Sequence, residues 1–147
     1  MQQAATYLEN QVFTASPHRL HLMVVDAALR HARRGMEALD EKSWESMFQS
    51  LSKARDCVSE LIGGLQPDVA PELVDPTKDL FIFVYRNLAK ADFDRDSQLI
   101  RDAIGILEIH REAWVELGLQ LGAGQPAGAP ARPAYEDAPT SGRSWST

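Results

Sequence analysis

The chain has 147 residues, of which 44% are apolar and 24% charged, with a net charge of −6. That length supports one domain with a real core, and the acidic balance argues against general affinity for nucleic acid or anionic lipid. No apolar run reaches the ~18–20 residues that span a bilayer, so no membrane insertion is expected. The opening MQQAATYLENQ has neither the basic nor the apolar region of a secretory signal. Cys57 is the single cysteine, which rules out an intrachain disulfide and suits a reducing compartment. A cytoplasmic protein is expected.

In chain order, residues 1–15 read as a short N-terminal arm, with apolar Tyr7, Leu8 and Val12 but no helix-length pattern. Ser16-Pro17 is a helix start. The serine hydroxyl can accept from a free backbone N–H, and proline at the first helical position loses no needed donor. The spacing predicts a helix from Pro17 to about Leu39. Leu22, Val25, Leu29, Ala32, Met36 and Leu39 make one apolar stripe, while Leu20, Met23, Val24, Ala27 and Ala28 make a second. A helix with two apolar faces either lies between neighbours or keeps one face for a partner. Arg30, Arg33 and Arg34 read as a solvated helix end whose charge complements the helix dipole.

A second helix begins near Ser43 and carries Trp44, Met47, Phe48, Leu51, Ala54, Val58, Leu61, Ile62 and Leu65 along one face. Gly63-Gly64 weakens it, and Pro67 and Pro71 mark a loop. A third opens at Asp75-Pro76, again a cap followed by proline, and carries Leu80, Phe81, Val84, Leu88 and Ala91. The fourth opens near Asp96, with Ile100, Ala103, Leu107, His110, Trp114, Leu117 and Leu121 on one stripe. Nothing alternates with period two. The expected fold is all-α, an antiparallel up-down four-helix bundle over residues 16–121. Residues 122–147 hold four glycines and four prolines and read as a disordered tail with a reach of roughly 25–30 Å. Its Tyr135 and Trp145 read as incidental.

Catalytic and metal chemistry find little support. Asp92, Asp94 and Asp96 open like a calcium loop, but Ser97 and Ala103 stand where glycine and glutamate are required, so a solvated, helix-capping turn is expected. No Glu-x-x-His pair for a di-metal bundle occurs. His18 and His21 lack a third ligand and read as surface histidines, whereas His110 falls on the apolar stripe of the fourth helix. Gly122-Ala-Gly124 follows a helix and is no phosphate loop. Cys57 reads as a packed thiol. No catalytic residue, metal or cofactor is expected.

The opening segment carries more than a helix start. Tyr7, then Val12-x-Thr14-Ala15-Ser16-Pro17-x-x-Leu20-x-Leu22-Met23 and Asp26, resembles the N-terminal signature of the FliS family of flagellar export chaperones. Leu80-x-x-x-Val84-Tyr85-Arg86-x-Leu88-x-x-Ala91 and Glu112-Ala113-Trp114 are similar to elements of that family's last two helices. The likeness runs from Ala5 to Leu121. Val24, Val25 and Ala27, and the phenylalanines at 81 and 83, depart from the family's usual residues.

The resemblance implies a chaperone of flagellar type III secretion that binds the C-terminal segment of flagellin. Such a protein prevents premature polymerisation and delivers its client to the export gate. It also implies that Tyr7, Leu8 and Val12 cover apolar surface on the free protein, while Thr14, Ser16 and Pro17 orient the arm. Met23, Ala27, Phe48, Leu51, Leu80, Val84, Leu88, Ile104 and Leu107 are the candidates for a client groove. A monomer is expected. The alternatives are an adaptor bundle for another amphipathic client and a homodimeric structural bundle.

Overall fold

The computed structural model describes residues 16–65 and 71–123, so the arm and nearly all of the tail lie outside the described residues. Four helices follow one another: α1 Pro17–Asp40, α2 Trp44–Gly63, α3 Pro71–Asp94 and α4 Ser97–Ala123. The described residues are all-α, as expected. α1 packs against α2 and α4, and α3 packs against the same two helices, which closes a four-helix ring. Cross-helix contacts run in opposite numerical directions, His18 with Trp114 and Arg33 with Glu108, so α1 and α4 are antiparallel.

Local chemistry accounts for most boundaries. The Ser16 hydroxyl accepts from the Arg19 N–H at 3.1 Å, and Pro17 occupies the first position of α1. The Asp96 carboxylate accepts from the Gln98 N–H at 2.9 Å and caps α4. The two tight connections each place one non-glycine residue in the left-handed region, Lys42 at φ 58° and Arg95 at φ 56°. A left-handed residue costs about 1–2 kcal/mol. The Arg95 guanidinium lies 4.0 Å above the Trp44 ring, a cation–π contact that offsets part of that cost.

Two boundaries differ from the sequence reading. α3 starts at Pro71, not at Asp75-Pro76, and Pro76 lies inside it. Pro71 already supplies the favoured first-turn proline, and Pro76 comes so soon after it that only one intrahelical bond is lost. At the other end, α4 runs on to Ala123, two residues into the span read as tail.

The core draws on all four helices: Val25, Leu29 and Ala32; Met47, Leu51 and Val58; Phe81, Val84 and Leu88; Ile100, Ala103 and Leu107. Asn87 is the buried polar residue among the described ones, and its amide donates to the Leu99 carbonyl at 3.3 Å. α1 meets α2 through small residues. Gly35 is buried, and a Cβ built there would stand 2.5 Å from Leu51 Cδ2 and 2.9 Å from its Cγ. Glycine is required here by approach, not by backbone angle. Gly35→Ala should therefore lower stability by about 1–2 kcal/mol: overpacking costs about 1–3 kcal/mol, and better helix propensity returns up to about 1. A shift of the urea midpoint to lower concentration checks this, and an unchanged midpoint would mean that Leu51 repacks freely.

Candidate partner-binding surface

The helix faces sort the expected groove residues into two sets. Leu51, Val84, Leu88 and Leu107 are fully buried and belong to the core of this conformation, not to a surface groove. Each sits near the centre of its helix's inward stripe, where neighbours close over it. Ile104 is half-buried and packs on the core from its edge, and Ala27 is half-buried too. Phe48 and Leu80 are exposed, at 55% and 47%. Leu20, Leu22 and Met23 are half-buried, so the second stripe of α1 is partly enclosed: Ala28 is fully buried, and Val24 packs on the core. Tyr7, Leu8, Val12 and Thr14 lie outside the described residues.

Six apolar or aromatic residues in a row, Leu80 to Tyr85, make α3 apolar nearly all round, and a helix in a four-membered ring cannot bury every side. Phe83 and Tyr85 join Leu80 on its surface, and Phe93 is 89% exposed. Asn87 bonds across to α4, and Leu80 and Phe83 lie seven and four residues before it on the same flank. On α4, Ile106 and Leu117 share a flank with Leu99. The opposite flank of α3 meets α2. There Arg55 Nη1 donates to Asp92 Oδ2 at 3.0 Å, with both side chains mostly buried. Phe48 lies two turns before Arg55, and Tyr85 two turns before Asp92, so the two aromatics mark opposite ends of the α2/α3 seam. α3 thus exposes apolar side chains beside both of its neighbours. Phe83, Phe93, Ile109 and Leu119 are exposed too and were not among the expected groove residues; the apolar run Leu80–Tyr85, too long for one inward face, was the available signal for Phe83 alone. Leu117 and Leu121, expected on α4's apolar stripe, are also exposed, because that end of α4 runs on past the helices that cover its middle.

The acidic and basic clusters also resolve. Asp92 pairs with Arg55 and is no solvated turn residue, while Asp96 caps α4. No group of three metal-ligating side chains converges among the described residues. Arg30, Arg33 and Arg34 sit well before the end of α1 at Asp40, too far in for the helix dipole to act on them. Instead they line a groove of about 910 Å³ between α1 and α4, with Asp26, Glu37, Glu108, Arg111 and Glu112. Arg33 pairs with Glu108, and Arg111 Nε donates to Asp26 Oδ1 at 2.6 Å. Both pairs are about half exposed, so solvent screens them and each adds little to stability.

His18 and His21, expected at the surface, are half-buried. His18 Nε2 donates to the Trp114 carbonyl at 2.6 Å, and Trp114 Nε1 donates back to the His18 carbonyl at 3.1 Å. Their rings stack with centroids 5.3 Å apart. His21 Nε2 meets His110 Nε2 at 2.7 Å, with Phe81 edge-on to His110. Burial first, then the neighbouring His110 and His18, lowers His21 from the ordinary 6.5 to about 4. Burial lowers His110 as well. Cys57 is half-buried, and burial raises its thiol pKa, consistent with an inert packed side chain.

The family profile described as flagellar protein FliS matches residues 1–120. The chain belongs to the FliS family. Relatives include the flagellar secretion chaperone FliS of Bacillus subtilis (strain 168), 28% identical over 108 residues covering 74% of this chain and 80% of the relative. The flagellar secretion chaperone FliS of Salmonella typhimurium is 29% identical over 115 residues, 78% of this chain and 85% of the relative. That of Vibrio cholerae is 23% identical over 110 residues, 75% and 81% of the two chains. Family membership agrees with the helix-one signature, whose Ser16 and Pro17 form the observed cap. No described helix is long and apolar enough to cross a membrane.

A folded-state pKa below the unfolded one means that the unfolded chain takes up a proton which the folded chain refuses. The His21 contribution to stability is therefore complete above about pH 6.5 and is lost as pH falls toward about 4. The urea midpoint should fall across this window, and His21→Phe should flatten that fall. An identical pH slope in the variant would count against the buried neutral imidazole.

Proposed function

We propose that the chain is a cytoplasmic flagellar export chaperone that binds the C-terminal helical segment of flagellin. In this reading it holds that segment from premature polymerisation and presents it for export. The observation that carries the reading is α3, whose exposed Leu80, Phe83, Tyr85 and Phe93 flank a core that is already complete without them. Exposed apolar side chains on both flanks of one helix suit a client that lays amphipathic helices into successive seams. Membership in the FliS family, and the printed names of its relatives as flagellar secretion chaperones, support the same class of partner. The role needs no catalytic group: it is binding, driven by apolar burial, with the client's ordering as the opposing term. A monomer with open seams is the working form.

Burying an aromatic side chain contributes about 1.5–3 kcal/mol. About half of each ring is still open to a client, so Phe83→Ser and Phe48→Ser should each weaken binding of the flagellin C-terminal segment about three- to tenfold, with a smaller change in the unfolding midpoint. Unchanged affinity in both variants would place the client elsewhere. A dimeric mass at low concentration that falls to monomer in the same variants would favour a structural homodimer.

A further inference from the structure

We propose that the His21–His110 contact is an acid-sensitive clasp: it holds the first turns of α1 against α4 while it carries at most one added proton, and releases them when both imidazoles are charged. The two Nε2 atoms stand 2.7 Å apart. With both rings neutral, one N–H donates to the other ring's lone pair. One added proton preserves a donor and an acceptor. A second makes both nitrogens donors and sets like charges side by side.

Among the described residues, the surroundings offer no countercharge. α3 presents Phe81, with a ring 4.9 Å from that of His110, and α4 presents Trp114, 4.3 Å from His21. Among the described residues, the charges that bear on His21 come from His110 on α4 and His18 on α1, and from no carboxylate. Asp26, five residues further along α1, is engaged by Arg111 of α4. Lys78 and Asp79, the charged neighbours of Phe81 on α3, are exposed. Burial keeps both imidazoles neutral at pH 7, so the clasp is closed there and loads on acidification.

Release is local by construction. Further along α1, Gly35 is locked against Leu51, and Ala28 and Ala32 are fully buried. At the clasp end, α1 is held by half-buried Leu20, Leu22 and Met23 and by histidine contacts: the reciprocal His18–Trp114 bonds, and the His18 ring lying over Gly118, where a Cβ would clash with it. Opening this end uncovers Phe81, which is fully buried at neutral pH, and the covered part of Trp114.

Hydrogen exchange of the full chain, corrected for the intrinsic pH dependence of exchange, tests this between pH 7 and 4. Protection at Leu20–Val24 should fall at least about tenfold more than protection at Ala28–Ala38. His110→Phe, and independently the milder His21→Gln, should abolish that difference. A uniform loss along α1, no loss at all, or the same local loss in a folded variant would overturn the clasp.

Discussion

The close approach of α1 to α2 is the constraint on which the rest of the bundle depends. Ala28, Ala32 and Gly35 remove side-chain bulk from one side of α1, and Leu51 fills the space that Gly35 leaves. With α1 seated this deeply, its larger residues Val25 and Leu29 fill the centre of the ring, and its N-terminal turns stand over α4. The second apolar stripe of α1 therefore has a structural use: Ala28 and Val24 turn into the bundle, while Leu20, Met23 and Ala27 line its half-covered edge.

Polar contacts at the seams fix how the helices are aligned. Arg55 ties α2 to α3 through Asp92, Asn87 ties α3 to the start of α4, and the His18–Trp114 exchange ties α4 to α1. The Arg55–Asp92 pair and Asn87 are largely shielded from water, where an unmatched partner is costly. They therefore specify alignment more than they add net stability. Against this fixed frame, the exposed side chains of α3 do not collapse into a core that has no room for them.

Much of this was legible because the signals were local. Ser16-Pro17 and Asp96 announce helix starts through bonds made within three residues, and the inward stripes of α2 and α4 follow helical periodicity. The start of α3 was misread because two prolines five residues apart carry the same signal. Sorting groove from core failed for Leu51, Val84, Leu88 and Leu107 because periodicity names a face without naming what covers it. In α3, six consecutive apolar residues blur even the face. The histidines could not be placed from spacing at all, since the partners of His18 and His21 lie 96 and 89 residues away. The Arg55–Asp92 pair was hidden for the same reason.

The proposed function gives a bundle whose core closes without α3's outer aromatics, in the FliS family, the role of a scaffold for a client that folds as it binds. The most direct measurement is calorimetric titration of the full chain with the isolated C-terminal segment of the same organism's flagellin, repeated at several temperatures and followed by circular dichroism. Coupled folding onto apolar seams predicts one-to-one binding with a large negative heat-capacity change and a gain of helix. A folded, monomeric protein that gives no heat and no added helix would contradict the account.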